Sequence, residues 1–145
     1  MDTVTLTVPS HPKYLSLIRG LIYPLALNDG FSKKEARRIV LAIDEACANI
    51  IKYAYEGDVA NTILVAVVSE AAFFRVTLTD YGKQVDAASI VPRALEDIRP
   101  GGLGTHFIRT VFDSVLYDTN QPKGTVLTLE KKKSETISSL QPRET

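Results

Sequence analysis

Three short stretches of this chain carry residue types that could grip a phosphorylated ligand with an aromatic base. Asp80-Tyr81-Gly82 closes an alternating apolar run. A carboxylate there can accept a hydrogen bond from an exocyclic amine, and glycine leaves room for a ligand against the backbone. Gly101-Gly102-Leu103-Gly104-Thr105 leads into a helical pattern, where free backbone N–H groups and the positive helix end can hold phosphates. Gly124-Thr125 opens the last strand with a hydroxyl that could reach a base edge. Alone, each has a plainer reading, since Asp-x-Gly is commonly a turn and glycine-rich loops are commonly connectors. The glycine loop is neither a Walker loop nor a Rossmann fingerprint: no Gly-Lys-Ser/Thr follows it, and no strand directly precedes it.

A fourth stretch, LAIDEACANIIKYAYEGD at 41–58, sets the frame. At 3.6 residues per turn, Glu45, Asn49, Lys52 and Glu56 form one narrow polar strip. Ala36, Ile39, Val40, Ile43, Ala46, Cys47, Ile50, Ile51 and Ala54 fill the opposite arc, which predicts an amphipathic helix. Taken alone, Glu45-x-x-x-Asn49 is an ordinary i,i+4 pair on a solvated face.

The elements that must position these residues follow in order. TVTLTV at 3–8 alternates as a short first strand, ended by Pro9. A helix starts near Tyr14, with Pro12 in its first turn and Pro24 expected to kink or fray its far end, and Asn28-Asp29-Gly30 stops it. Ser32 and Glu35 fit a capping box for the long helix, which should run to about Tyr55, and Phe31 can staple onto Ala36. Residues 62–68 and 73–79 read as a hairpin. A short helix is expected within Asp86–Ile98, interrupted at Pro92, and the thin apolar pattern of 83–100 reads as a mobile lid. Phe107, Ile108, Val111 and Phe112 give the helix after the glycines its apolar side. Residues 114–119 and 125–130 are two more strands, joined through Pro122 and Gly124. The order predicts an α+β sandwich of one sheet with helices on one face. A single domain is expected over 1–131, with a polar tail over 132–145.

The length of 145 residues fits one domain with a real core, and 45% hydrophobic residues exclude a disordered or fibrous chain. Seventeen basic and seventeen acidic residues cancel, leaving no large basic field for nucleic acid. Cys47, the single cysteine, reads as a buried structural thiol. MDTVTLTVPS has no basic region or apolar run, and no segment reaches the length of a membrane span, so a cytoplasmic protein is expected.

In order, Glu45-x-x-x-Asn49, Asp80-x-Gly82, Gly102-x-Gly104 and Gly124-Thr125 resemble the ATP-binding fold shared by gyrase, heat-shock chaperones, histidine kinases and mismatch-repair ATPases. Within it, EACANIIKYAYEGD resembles the anti-sigma-factor serine/threonine kinases, whose helix reads roughly E-A-C-x-N-A-x-x-H-A-Y. The resemblance spans about residues 4–131. It implies a two-layer α/β sandwich with a mixed, mostly antiparallel sheet, and a bacterial protein that binds ATP and Mg²⁺.

Residue by residue, the resemblance implies that Glu45 is the catalytic base and Asn49 the Mg²⁺ ligand. Asp80 would specify adenine, and Gly82 would let the base approach. Gly102, Gly104 and Thr105 would lie along the phosphates, and Thr125 would support adenine through water. Tyr53 stands where the family often has histidine, and Thr105-His106 replaces a more usual aliphatic pair. Lys52 and Arg99 could contact phosphates, with a solvent-facing lysine and a lid arginine as the plainer reading of each. The implied partners are a sigma factor, an anti-sigma-factor antagonist carrying the acceptor serine, and a second copy of the chain in a homodimer, for which TVTLTV offers an edge or face. Two other readings remain: a non-catalytic ATP-binding switch, and an α+β module without a ligand.

Overall fold

The amphipathic stretch folds as expected over most of its length. In the computed structural model, which describes residues 2–84 and 102–133, helix α2 spans Lys33–Asn49. Ser32 caps it, its Oγ accepting the Glu35 N–H at 3.1 Å. Ala36, Ile39, Ala42, Ile43, Ala46 and Cys47 are buried along one arc. The helix does not continue in α form to Tyr55. Over Ile50–Ala54 it widens into a π-turn, with the Tyr55 N–H donating to the Ile50 carbonyl at 3.0 Å.

Helix α1 (Leu15–Asn28) follows a short 3₁₀ turn at Pro12–Tyr14 and packs on α2. Pro24 lies inside α1, and the helix runs on one more turn to Asn28, so the expected fraying is absent. Its end closes where Gly30 takes φ 93° and the Phe31 N–H reaches back to the Ala26 carbonyl at 3.2 Å. Phe31 then packs edge-on against Phe74, with ring centroids 5.8 Å apart.

Five strands form one sheet: β1 (Thr3–Pro9), β2 (Thr62–Ser69), β3 (Phe73–Asp80), β4 (Ser114–Asp118) and β5 (Thr125–Lys132). Their spatial order is β1-β2-β3-β5-β4, and every described pair is antiparallel. One row of partners, Leu6, Val65, Leu78, Leu127 and Tyr117, crosses the whole sheet on the helix side. The next row, Thr5, Ala66, Thr77, Thr128 and Leu116, lies on the open face, where Leu116 is 60% exposed. Period-two alternation therefore puts the described helices on one face of the sheet. Ile63, Val65, Val67, Phe74, Val76, Leu78 and Leu129 fill the layer between, together with the buried arc of α2. Helix α3 (Gly102–Val111) closes this layer through Ile108, Val111 and Phe112. The Lys131 ammonium caps its end by donating to the Val111 carbonyl at 3.1 Å.

Strand β5 continues to Lys132, past the expected end of the patterned chain. Lys133 is itself buried, its side chain 1% exposed. Its ammonium donates to Ser69 Oγ at 2.9 Å and lies 3.3 Å from Asp29 Oδ2. The Ser69 hydroxyl in turn donates to Asp29 Oδ1. The expected short helix at 86–98, most of the expected lid, Gly101, and the remainder of the tail (134–145) lie outside the described residues. No described helix is long and apolar enough to cross a membrane.

Candidate functional site

Strand β3 delivers Asp80 to the helix side of the sheet, because Phe74, Val76, Leu78 and Asp80 share one face. The carboxylate is therefore buried among apolar neighbours, with Asp80 only 4% exposed. Burial pushes its pKa up from 3.8, opposed by hydrogen bonds from the backbone N–H groups of Gly82 and Thr125. The Gly82 bond, 3.0 Å to Oδ1, forms an Asx-type turn. Thr125 sits directly across the ladder from Asp80 and is also buried.

Above this pair lies a recess of about 40 Å³ between helix and sheet. Ala46, Asn49, Ile50, Tyr53 and Ala54 form one wall, and Asp80, Tyr117, Thr125 and Leu127 form the other. Among the described residues the walls are mainly apolar, and Asp80 supplies the carboxylate in them. Such a slot takes the edge of a flat ring and rewards an N–H donor on it. Asn49 Nδ2 is buried here without a hydrogen-bond partner. An unpaired amide at the rim of a recess fits a ligand that completes its bonding. Glu45 is exposed one turn earlier on the same strip and lies outside the recess wall. The expected pair is thus divided, with the amide at the recess and the carboxylate facing solvent.

Gly82 and Gly124 are both packed closely against the protein's own backbone. A Cβ at Gly82 would stand 2.4 Å from the Ala54 carbonyl oxygen and 2.8 Å from the Tyr55 ring. The protein's own π-turn thus approaches closely enough to require glycine here. Gly124 takes φ 82°, and its Cβ would lie 2.1 Å from the Asp80 carbonyl oxygen. Gly102 and Gly104 fall in the first turn of α3, and Thr105 is buried in it, away from the recess wall. Lys52 is exposed, its ammonium 5.2 Å from the Tyr53 ring centroid. Arg99 lies outside the described residues.

Three contributors were not singled out from the sequence. Tyr117 comes from β4 to the recess wall, its phenol pKa pushed up by burial against the opposing pull of Arg109. The Gln84 amide donates to the carbonyls of Thr119 and Gly124, each at 3.0 Å, tying the chain after Gly82 to the β4–β5 turn. The Tyr55 hydroxyl donates to the Thr62 carbonyl and accepts the Tyr81 N–H at 2.8 Å. Its phenol pKa is raised, burial outweighing the hydrogen bond from Tyr81. Tyr55 stands in the quoted helix motif, which was the available signal. The fold-dependent partners of Tyr117 and Gln84 left none. Cys47 is fully buried on α2, and burial pushes its thiol up to about 12, as a structural thiol requires.

Comparison with known proteins places these features in context. Residues 8–131 match the family profile described as a histidine kinase-like ATPase domain. The serine-protein kinase RsbW of Listeria monocytogenes serovar 1/2a is 30% identical over 122 residues, covering 79% of this chain and 78% of the relative. The RsbW of Halalkalibacterium halodurans is 26% identical over 138 residues, covering 90% and 83%. Among solved structures, the RsbU and RsbW domains of a Mycobacterium tuberculosis protein superpose with a TM-score of 0.63 at 16% identity, over 90% of this chain and 32% of that one. The histidine kinase domain of the Erythrobacter litoralis blue-light activated histidine kinase gives 0.55 at 17%, over 93% and 67%.

Proposed function

The chain belongs to the histidine kinase-like ATPase domain family, beside relatives named serine-protein kinase RsbW, and from that premise we propose that it is a serine/threonine protein kinase and anti-sigma factor. It binds Mg-ATP, transfers the γ-phosphoryl group to a serine of an anti-sigma-factor antagonist, and thereby controls which partner it holds. The observation that carries this reading is the apolar recess with a buried, backbone-clamped carboxylate at Asp80.

In this mechanism Asp80 accepts the exocyclic amine of adenine, while Ala46, Ile50, Ala54 and Leu127 keep water from the ring. The Thr125 hydroxyl supports the same base edge. Backbone N–H groups at Gly102 and Gly104, at the start of α3, take the phosphates at the positive end of the helix. Asn49 would hold Mg²⁺ through its side-chain oxygen, with phosphates and water completing the shell in the manner this ion prefers. When bound, the ion supplies charge neutralisation on the phosphates. Glu45 accepts the proton of the docked serine hydroxyl as the oxygen–phosphorus bond forms and the bond to ADP breaks. Its position outside the recess, facing solvent, suits a base that meets a hydroxyl brought by another protein.

The reading further includes a homodimer. The edge position of β1 and the open sheet face both support it, and sedimentation at about tens of micromolar, where a self-association of roughly 6–7 kcal/mol shows, tests it. It also includes a bacterial cytoplasmic setting, with no direct contact to nucleic acid or membrane.

Glu45→Gln tests the kinase itself. With radiolabelled ATP and the cognate antagonist, this variant should bind nucleotide as wild type does and lose transfer by about 10²–10⁴-fold. Wild type that binds ATP yet labels no antagonist from its own genome would leave a non-catalytic ATP-binding switch in place of the kinase.

A further inference from the structure

Tyr55 lines no part of the recess, yet it holds the segment from which the recess carboxylate projects. The phenol has one proton, and that proton goes to the Thr62 carbonyl. Its oxygen is thereby left as an acceptor for the Tyr81 N–H at 2.8 Å. That N–H belongs to the peptide immediately after Asp80, so its partner fixes the plane of this peptide. Beside it the Lys83 N–H donates to the Ala54 carbonyl at 2.8 Å, and Gly82 is packed against Ala54 and the Tyr55 ring. Between those two anchors sits the Gly82 N–H that clamps Asp80 Oδ1.

The π-turn makes this arrangement possible. One residue more than an α-helix would hold turns the following side chain by about 100°. That extra turn sets the Ala54 carbonyl and Tyr55 beneath the Asp80 loop. π-turns of this kind recur at functional sites, where a shifted register serves a geometry that a regular helix cannot give.

We propose that Tyr55 is a positioning residue for base recognition: through the Tyr81 amide, its hydroxyl sets the direction of the Asp80 carboxylate and so the preference for a 6-amino over a 6-oxo purine. The inference rests on the nucleotide-binding reading above and adds a residue that touches no ligand. A merely structural tyrosine would change stability and leave the preference between two purines alone.

The test is calorimetric titration of the full chain with Mg-ATP and with Mg-inosine triphosphate, which carries an oxo group in place of the amine. Wild type should prefer ATP. Tyr55→Phe removes the hydroxyl alone. It should weaken ATP by about tenfold, the scale of one lost hydrogen bond, and leave inosine triphosphate nearly unchanged. Asp80→Asn should shrink the preference in the same direction. Gly57→Ala, at φ +83° with nothing within 4 Å of its Cβ, serves as a destabilised control and should keep the full preference. If Tyr55→Phe does not fold, Tyr81→Pro deletes the same N–H from the other side and carries the same expectation. A wild-type preference retained in whichever of these two variants is folded overturns the inference and spares the nucleotide reading. Wild type that binds neither nucleotide overturns both.

Discussion

Replacing Gly82 by alanine gives the sharpest physical test of how the site is built. The new Cβ would lie 2.4 Å from the Ala54 oxygen, 2.7 Å from its carbonyl carbon and 2.8 Å from the Tyr55 ring. Ordinary contact begins near 3.4 Å, so the oxygen and the loop must separate by about 1.0 Å. Two of the three obstructing atoms are backbone, which no rotamer change can move. Overpacking of this kind costs about 1–3 kcal/mol. The same movement stretches the Lys83 to Ala54 hydrogen bond, worth a further ~0.5–1.5 kcal/mol. Together that is roughly 1.5–4.5 kcal/mol, or a fall in Tm of roughly 5–18 °C at about 3–4 °C per kcal/mol for a domain of this size. Thermal unfolding followed by circular dichroism reads this directly. Two other glycines calibrate it, because neither has an atom within 4 Å of its added Cβ. Gly20→Ala, inside α1, should stabilise by about 0.5–1 kcal/mol. Gly57→Ala should cost only the backbone strain of a left-handed residue, about 1–2 kcal/mol. If Gly82→Ala were no worse than Gly57→Ala, the steric argument for the π-turn as its close neighbour would be refuted.

Asp80→Asn separates stability from binding. Burial raises the native carboxyl pKa, so ionising it opposes folding as pH rises above 3.8; the amide should leave Tm at neutral pH unchanged or higher while ATP affinity falls by roughly 10–100-fold. Equal ATP affinity in a folded variant would remove the adenine assignment. Cys47 predicts a loss of stability at high pH. Its native thiol is held at about 12 against 9.0, so between those values the unfolded chain gives up a proton that the native chain keeps. Cys47 should contribute a fall of up to about 1.4 kcal/mol per pH unit there, and Cys47→Ala should remove that part of the slope in urea titrations at about pH 9 to 10, below the range where the raised Tyr55 and Tyr117 phenols add their own.

The elements that carry local patterns were legible. Ser32 announced its cap, the apolar arc from Ala36 to Cys47 announced α2, and alternation announced β2 and β3. The end of α2 was not legible, because periodicity alone cannot separate an α-turn from a π-turn at Ile50–Ala54. The widening is fixed by tertiary partners, the Tyr81 and Lys83 amides, which lie more than twenty residues on. At Gly82 the sequence did not show that Ala54 and Tyr55 pack against it, because that contact joins segments far apart in the chain. The fraying expected at Pro24 did not occur, because its cost is local, whereas the buried Ile22 and Ala26 on either side hold the helix together. In the site, Asp80 and Thr125 could be placed at strand ends in advance. Their registration across one ladder rung, which makes them one site, emerged only from the sheet.

The buried ion pair at the far rim of the sheet sets a boundary for anyone shortening or joining this chain. Lys133 supplies the cation nearest to Asp29 Oδ2, an atom with no hydrogen bond of its own. Ending the polypeptide one residue earlier would strand a carboxylate whose side chain is 10% exposed. A buried charge left without its partner costs about 3–5 kcal/mol, a large part of the roughly 5–15 kcal/mol that holds an average domain together. A cut or an affinity tag must therefore fall after Lys133, one residue beyond the last residue of β5, if that pairing is to stay whole.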